Sequence, residues 1–505
     1  VTLSKKTNIA KNTLMLYFRQ ILVLFIGLYA VRIVLNVLGV DDYGIYGAVG
    51  GLVSLGSFLP GSLAQATQRY FSFAIGEQDC ARLKKIFSVN LVLYILVALI
   101  FLTVLQTIGF WYFDSYLNLP NMRYDAAKFL YKCAALTFLV NIITTPFMAI
   151  IMAYEDMKIF AYISIFEALI KLGSVTLLQY IEWDKLEIYG LLVFFMSVLS
   201  AAMYAFVCLY RYEACQFKRI YWDVALMKEI VGFTGWTMFG QISTIARSHA
   251  VTLLLNQSFS PAVVAARTLS MQVARQVNIF SSNFNASLYP PIVKSYAAKE
   301  LEDMFALIVG GSKITFFLLW VFALPMIVEM ENILDIWLAV VPQDAVLFSQ
   351  LALVEALVLS VSLPMTTAAR APGKMMGYEL TLGAIQVGIF VASWTVVAAG
   401  SPAYSVFIVA ILANVLMFFV RLYIVSRLIG ISIVFFIKRV IVPVIGVVLL
   451  TAPVVFVFKK FMPTGIFWSI CISLVSVVLT IFVMYYIGID KNWRLKIRNI
   501  FIKIL

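Results

Sequence analysis

Residues 230–255 read IVGFTGWTMFGQISTIARSHAVTLLL. The run is long enough to cross the roughly 30 Å hydrocarbon core of a bilayer, yet it carries Gln241, Thr244, Arg247 and Ser248 at helical spacing. A guanidinium at bilayer depth costs roughly 2.5 to 3.5 kcal/mol, so a helix that keeps one must turn it toward protein or water. The next apolar run repeats the pattern with Gln272, Arg275, Asn278 and Ser282. Both stretches predict membrane helices whose polar faces line a wet, cationic interior.

The rest of the chain agrees. Its 505 residues are 63% hydrophobic and 12% charged, with a mean hydropathy of +0.98, which excludes an ordinary soluble domain. Apolar runs of spanning length cover 13–38, 43–75, 88–110, 126–152, 159–180, 188–210 and 230–255. They continue at 262–293, 304–326, 345–369, 375–398, 404–420, 440–458 and 466–487. The fold class expected is an all-α polytopic membrane protein of about fourteen transmembrane helices. The first run is too long for a cleavable signal peptide and is expected to act as the membrane signal itself.

Lys and Arg alternate between loops, and cytoplasmic loops carry the excess. With Lys5, Lys6 and Lys11 inside, the inside loops hold Arg82, Lys84, Lys85, Lys158, Arg211, Lys218, Arg219, Arg370 and Lys374. The tail adds Lys491, Arg494, Lys496, Arg498 and Lys503. The outside loops hold Asp41, Asp42, Asp114, Glu182, Asp184, Glu329, Glu331, Asp335 and Asp344, with Lys459 and Lys460 as the main exception. Both termini are therefore expected in the cytoplasm. The net charge of +13 follows from basic loops facing anionic lipid headgroups and calls for no nucleic acid. The five cysteines show no paired spacing, so neither a zinc site nor a disulfide framework is expected, and no metal or cofactor is.

Compared with itself at an offset of about 220, the chain gives an ordered match of the kind transporter repeats leave. Leu35-Asn36 meets Leu255-Asn256, and Pro146 meets Pro364 near the same offset. The division expected is a six-helix lobe over 1–215, a second over 216–430, and two additional helices with a basic tail over 431–505. The two lobes would be related by a pseudo-two-fold axis along the membrane normal.

Polar stripes mark the first, second, seventh and eighth helices. The second carries Ser54, Ser57, Gly61, Gln65, Gln68, Arg69 and Ser72; the eighth carries Arg267, Ser270, Arg275, Asn278, Ser282 and Asn285. Arg32 lies one turn before Asn36 in the first. The substrate-binding set expected is Arg32, Arg69, Arg247, Arg267, Arg275, Gln65, Gln241, Gln272 and Asn278. For Arg69, snorkelling to the headgroups and cavity lining are both open; Arg19 is the clearest candidate for snorkelling. Lys171 follows Glu167 by one turn, which favours a local ion pair. Glu355 stands at the centre of the tenth helix with no local partner, as a proton or cation site or as a hydrogen-bonding group. Glu355, Glu167 and Lys171 are the coupling candidates. His249 reads as a packing residue, with a proton relay as its other possibility.

Three stretches carry a family resemblance: Val37 to Tyr46, Gly76 to Phe87 with its Arg-Leu-Lys-Lys, and Pro146 through Ala153, Tyr154 and Lys158 to Glu167 and Lys171. On these the chain resembles the multidrug/oligosaccharidyl-lipid/polysaccharide flippase (MOP) superfamily, in its polysaccharide transporter branch. The resemblance implies a flippase, not an enzyme, in the bacterial inner membrane. It would move an undecaprenyl-diphosphate-linked oligosaccharide of O-antigen or capsule from the cytoplasmic to the outer leaflet by alternating access. The partners implied are the lipid-linked oligosaccharide, the bilayer and, as a further candidate, the glycan polymerase machinery. Arginine suits a diphosphate through paired charge-assisted hydrogen bonds. The rivals are an ion-coupled multidrug exporter or a lipid II flippase of the same superfamily, and a membrane-embedded glycan polymerase or ligase. The last would need an outside acid–base pair that the short 114–125 loop does not offer.

Overall fold

A computed structural model describes residues 3–54, 56, 58–116, 120–216, 221–338, 341–463 and 465–488. Ser57, Lys218, Arg219 and the basic tail residues from Lys491 lie outside them. The described residues are helical throughout, joined by turns. In chain order the helices are α1 (Leu3–Ser54), α2 (Phe58–Gly76), α3 (Cys80–Ser115), α4 (Tyr124–Ala153), α5 (Met157–Tyr180), α6 (Lys185–Arg211) and α7 (Val224–Ser258). There follow α8 (Pro261–Ala297), α9 (Leu301–Val328), a short helix over Met330–Trp337, α10 (Ala345–Arg370), α11 (Met376–Ala398), α12 (Ser405–Ile429), α13 (Ile433–Phe461) and α14 (Ile466–Gly488).

Among the described residues eleven spans are long and apolar enough to cross a membrane, so this is a multi-pass membrane protein. The helices α2, α7 and α8 are not among those eleven. They carry the polar stripes, whose amides, hydroxyls and guanidinium groups lower their hydropathy.

The first and second predicted spans are not separated by a loop. The helix α1 runs on through Gly39, whose φ of 78° and ψ of 174° kink it at the point where the first span ends. Only glycine adopts that conformation cheaply. A second break falls around Gly56, where an added Cβ would stand 2.3 Å from the Phe101 ring and 2.9 Å from Phe138. The second span, read as one helix over 43–75, is therefore the end of α1 joined to α2. The tenth also breaks, at Val361–Ser362, with Pro364 in the first turn beyond, where a missing N–H costs nothing.

The described residues divide into two compact units. An N-terminal unit runs to Gln241 and takes in Val293–Lys299; a C-terminal unit comprises Ile242–Ile292 and the residues from Glu300 onward.

In the N-terminal unit the core joins α1, α3 and α4, with Phe110, Phe113, Tyr124 and Tyr131 packed ring on ring. Hydrogen bonds tie α2 to α3: Thr67 donates to Asn90 Oδ1 at 2.9 Å and Tyr94 to the Leu63 carbonyl at 2.7 Å. Such bonds contribute about 0.6 kcal/mol each within a membrane bundle. At the end of this unit read as outside, Arg123 grips Asp42 with two nitrogens and Asp184 with a third. Asp184 also caps α6 by accepting from Leu186 N and Glu187 N. The hydrogen bonds that Arg123 donates to Asp42, with help from Asp184, hold its guanidinium above its ordinary range.

In the C-terminal unit α9 is the most enclosed of the spans, with 78% of its central window buried. Trp320 donates to Thr451 Oγ1 at 3.0 Å, fastening α9 to α13. Lys459, an exception to the charge alternation, reaches Glu329 at 3.4 Å and the Val328 carbonyl. It is an internal counter-charge to a carboxylate that is 1% exposed, which is why it breaks the loop rule.

Candidate functional site

In the N-terminal unit the polar residues of α2 turn into protein. Arg69 is 4% exposed, and its guanidinium lies 4.7 Å from the Tyr70 ring, 5.1 Å from Phe233 and 5.4 Å from Phe73. Glu229 stands 3.9 Å away and is half-exposed. The rings form an aromatic cage, and a desolvated guanidinium gains about 2 kcal/mol over a ring face. Gln241 accepts from Ser62 Oγ at 2.8 Å. Gln65 is half-buried, and Arg32 is exposed.

A cavity of about 350 Å³ opens among α1, α4, α5 and α6, with Asn141, Ser164, Glu167, Lys171 and Ser200 in its wall. Glu167 accepts a hydrogen bond from Ser200. Glu167 and Lys171 share the wall but form no ion pair among the described residues; the base within electrostatic reach of Glu167 is Arg19. Arg19 thus points inward, over the Phe160 ring at 4.8 Å. One helical turn permits an i, i+4 pair, but the hydroxyl on α6 competes for the same oxygen.

In the C-terminal unit the structure brings together Arg247, Arg267 and Glu355. Arg247 Nη2 lies 3.5 Å from Glu355 Oε1, and Asn414 Nδ2 on α12 donates to that oxygen at 2.9 Å. Arg267, 5% exposed, donates from Nε to Thr252 Oγ1 at 3.3 Å and rests over the Phe407 ring at 5.3 Å. It lies within electrostatic reach of both Glu355 and Arg247. Glu355 therefore has a partner that no local spacing announced, 108 residues away.

The stripe read on α8 divides. Arg267 and Ser270 are buried, whereas Gln272, Arg275 and Ser282 are exposed. Asn278 keeps a buried Oδ1 without a hydrogen-bond partner. His249 is exposed. Asn414 and Thr252 went unread in the sequence. A lone amide inside the apolar run 404–420 was the available signal for Asn414; Thr252 offered none.

Solved structures share this architecture. A MATE transporter in its straight conformation superposes with a TM-score of 0.73, covering 84% of this chain and 96% of its own, at 12% identity. The fold is that of the MATE transporters. The Vibrio cholerae MATE transporter VcmN matches at a TM-score of 0.65 and 16% identity, over 86% of this chain and 99% of VcmN. A protein from Pyrococcus furiosus, described as a MOP superfamily transporter whose binding pocket of reverse polarity suggests a different function, matches at 0.68 and 11%, over 85% and 97%. No family model matches the sequence, and no curated protein does. The chain holds nearly the whole MATE fold of each neighbour, and at these identities the likeness carries the fold alone.

Proposed function

We propose that this MATE-fold protein is a transporter of an anionic lipid-linked oligosaccharide, carried on undecaprenyl diphosphate or a similar lipid, from the inner to the outer leaflet of a bacterial cytoplasmic membrane. The observation that supports it is the shortage of negative charge around two arginines of the C-terminal unit. Arg247 and Arg267 share a single buried carboxylate, Glu355. An unpaired buried guanidinium costs several kcal/mol, and a phosphate would supply the missing anion through charge-assisted hydrogen bonds. Arg275 and Gln272, exposed in the same unit, would offer further contacts to phosphate and sugar hydroxyls. Glu167, on the wall of a cavity and bonded to Ser200, is the coupling group in this reading.

The experiment is a leaflet-translocation assay in proteoliposomes with a lipid-linked oligosaccharide. Arg247→Ala and Arg275→Ala are expected to abolish movement with folding near normal. Transport at the wild-type rate by both variants overturns the cationic mechanism.

Multidrug export is the second reading. One neighbour is described as a multidrug resistance MATE family transporter of the MOP superfamily, and the structural neighbours support this reading at least as directly as glycan flipping. The cavity with Glu167 is the feature suited to an organic cation. Uptake of a fluorescent cation that Glu167→Gln abolishes and Arg247→Ala spares would favour it.

A further inference from the structure

Glu355 lies midway along α10 and is 6% exposed. Asn414 holds its Oε1 at 2.9 Å, but Arg247 Nη2 stands 3.5 Å from the same atom, longer than the roughly 2.7 to 2.9 Å of a firm charge-assisted bond. The carboxylate is thus anchored to α12 and only loosely to the arginine. Arg247 Nε is buried and reaches no acceptor. Arg267 has no ion pair of its own among the described residues and lies within electrostatic reach of both groups.

We propose that Glu355 is the internal counter-anion of Arg247: it neutralises the guanidinium while the site is empty and yields it to the phosphate groups of the arriving substrate. The inference rests on the cationic reading of the site given above. Carboxylate and phosphate compete for the same Nη donors, and a diphosphate brings more charge and more acceptor oxygens than a carboxylate. The exchange never leaves Arg247 bare. An apolar residue at 355 would leave two like charges facing each other in the empty protein, with no anion between them. Glu355 thereby lowers affinity and speeds release, with Asn414 as the positioning residue that keeps the carboxylate in place once the arginine has left it.

The test uses the purified full chain in detergent, with farnesyl diphosphate as probe, inorganic pyrophosphate to isolate the head group and farnesol to isolate the tail. Glu355→Gln keeps the shape and can keep the bond to Asn414. It should melt at a lower temperature without ligand, bind farnesyl diphosphate about tenfold more tightly than wild type and show the larger ligand-induced thermal shift. Its translocation should be slower because release is slower. A purely structural role for Glu355 would weaken binding and lower the melting temperature together. Unchanged or weaker binding by Glu355→Gln, with binding still lost in Arg247→Ala, overturns the counter-anion and leaves the cationic site standing. Equal binding by wild type and Arg247→Ala overturns the site itself, and binding of farnesol as tight as of the diphosphate does the same. Should Glu355→Gln not fold, Glu355→Asp tests the same idea: shortening the reach to Arg247 should give an affinity gain smaller than tenfold, and a loss of affinity overturns the proposal.

Discussion

Arg69 shows how a basic side chain on an apolar helix can be held by aromatic rings. Three rings and the Glu229 carboxylate stand around it, so Arg69→Ala should remove both the cation–π contacts and the packing of the side-chain stem. A loss on the order of 2 kcal/mol is expected, read as a lower melting temperature in detergent; an unchanged melt would show that the cage carries no stability. Tyr212 lies outside the spans and gives a pH-dependent case. Burial first, then its hydrogen bond to Asp156, holds its phenol above the ordinary value. The folded protein keeps a proton that the unfolded chain releases above about pH 10. The stability linked to this group is therefore intact below that pH and falls as pH rises from there toward the folded value. Alkaline melting curves should be flatter for Tyr212→Phe than for wild type.

At the scale of the element, the bend at Gly39 is the sharpest constraint on α1. Its φ of 78° excludes a side chain at low cost, although no atom lies within 4 Å of the Cβ that alanine would add. Gly39→Ala should cost about 1 to 3 kcal/mol through backbone strain, seen as a drop in melting temperature without any steric clash to relieve. The run 43–75 is long enough to read as one span, and its periodicity carried no sign of the break near Gly56, where rings from α3 and α4 fill the space a Cβ would take. The polar stripe of α2 was legible by spacing, but which atoms would meet Arg69 was not. The same holds for Glu167, whose neighbour one turn away on α5 looked the natural partner until Ser200 on α6 took the oxygen.

For the whole molecule, the loops give a testable topology. Single cysteines placed at Asp344 and at Lys374, on a background without the five native ones, should be labelled by a membrane-impermeant maleimide from opposite sides. Labelling from one side would overturn the orientation read from charge. Within the C-terminal unit α13 is fastened by Trp320–Thr451 and Lys459–Glu329, and α14 by the bond that Asn332 donates to Ser469 Oγ. Deleting the chain from Ile431 onward should expose the apolar flank of α9 and leave Glu329 unpaired, so the truncated protein should aggregate on size-exclusion chromatography, whereas loss of activity alone would show that α13 and α14 are accessory to folding.

The sequence by itself determined that the chain crosses the membrane many times and where most of the apolar spans fall. Hydrocarbon imposes length and apolarity on every residue that meets it, and that constraint is local enough to read one run at a time. Only the tertiary structure decided that Glu355 serves Arg247 with Asn414 behind it, that Arg69 lies among rings, and that Lys459 neutralises Glu329. Arg247 and Glu355 stand 108 positions apart, and a buried charge chooses its partner by distance in space and by what else is near enough to solvate it.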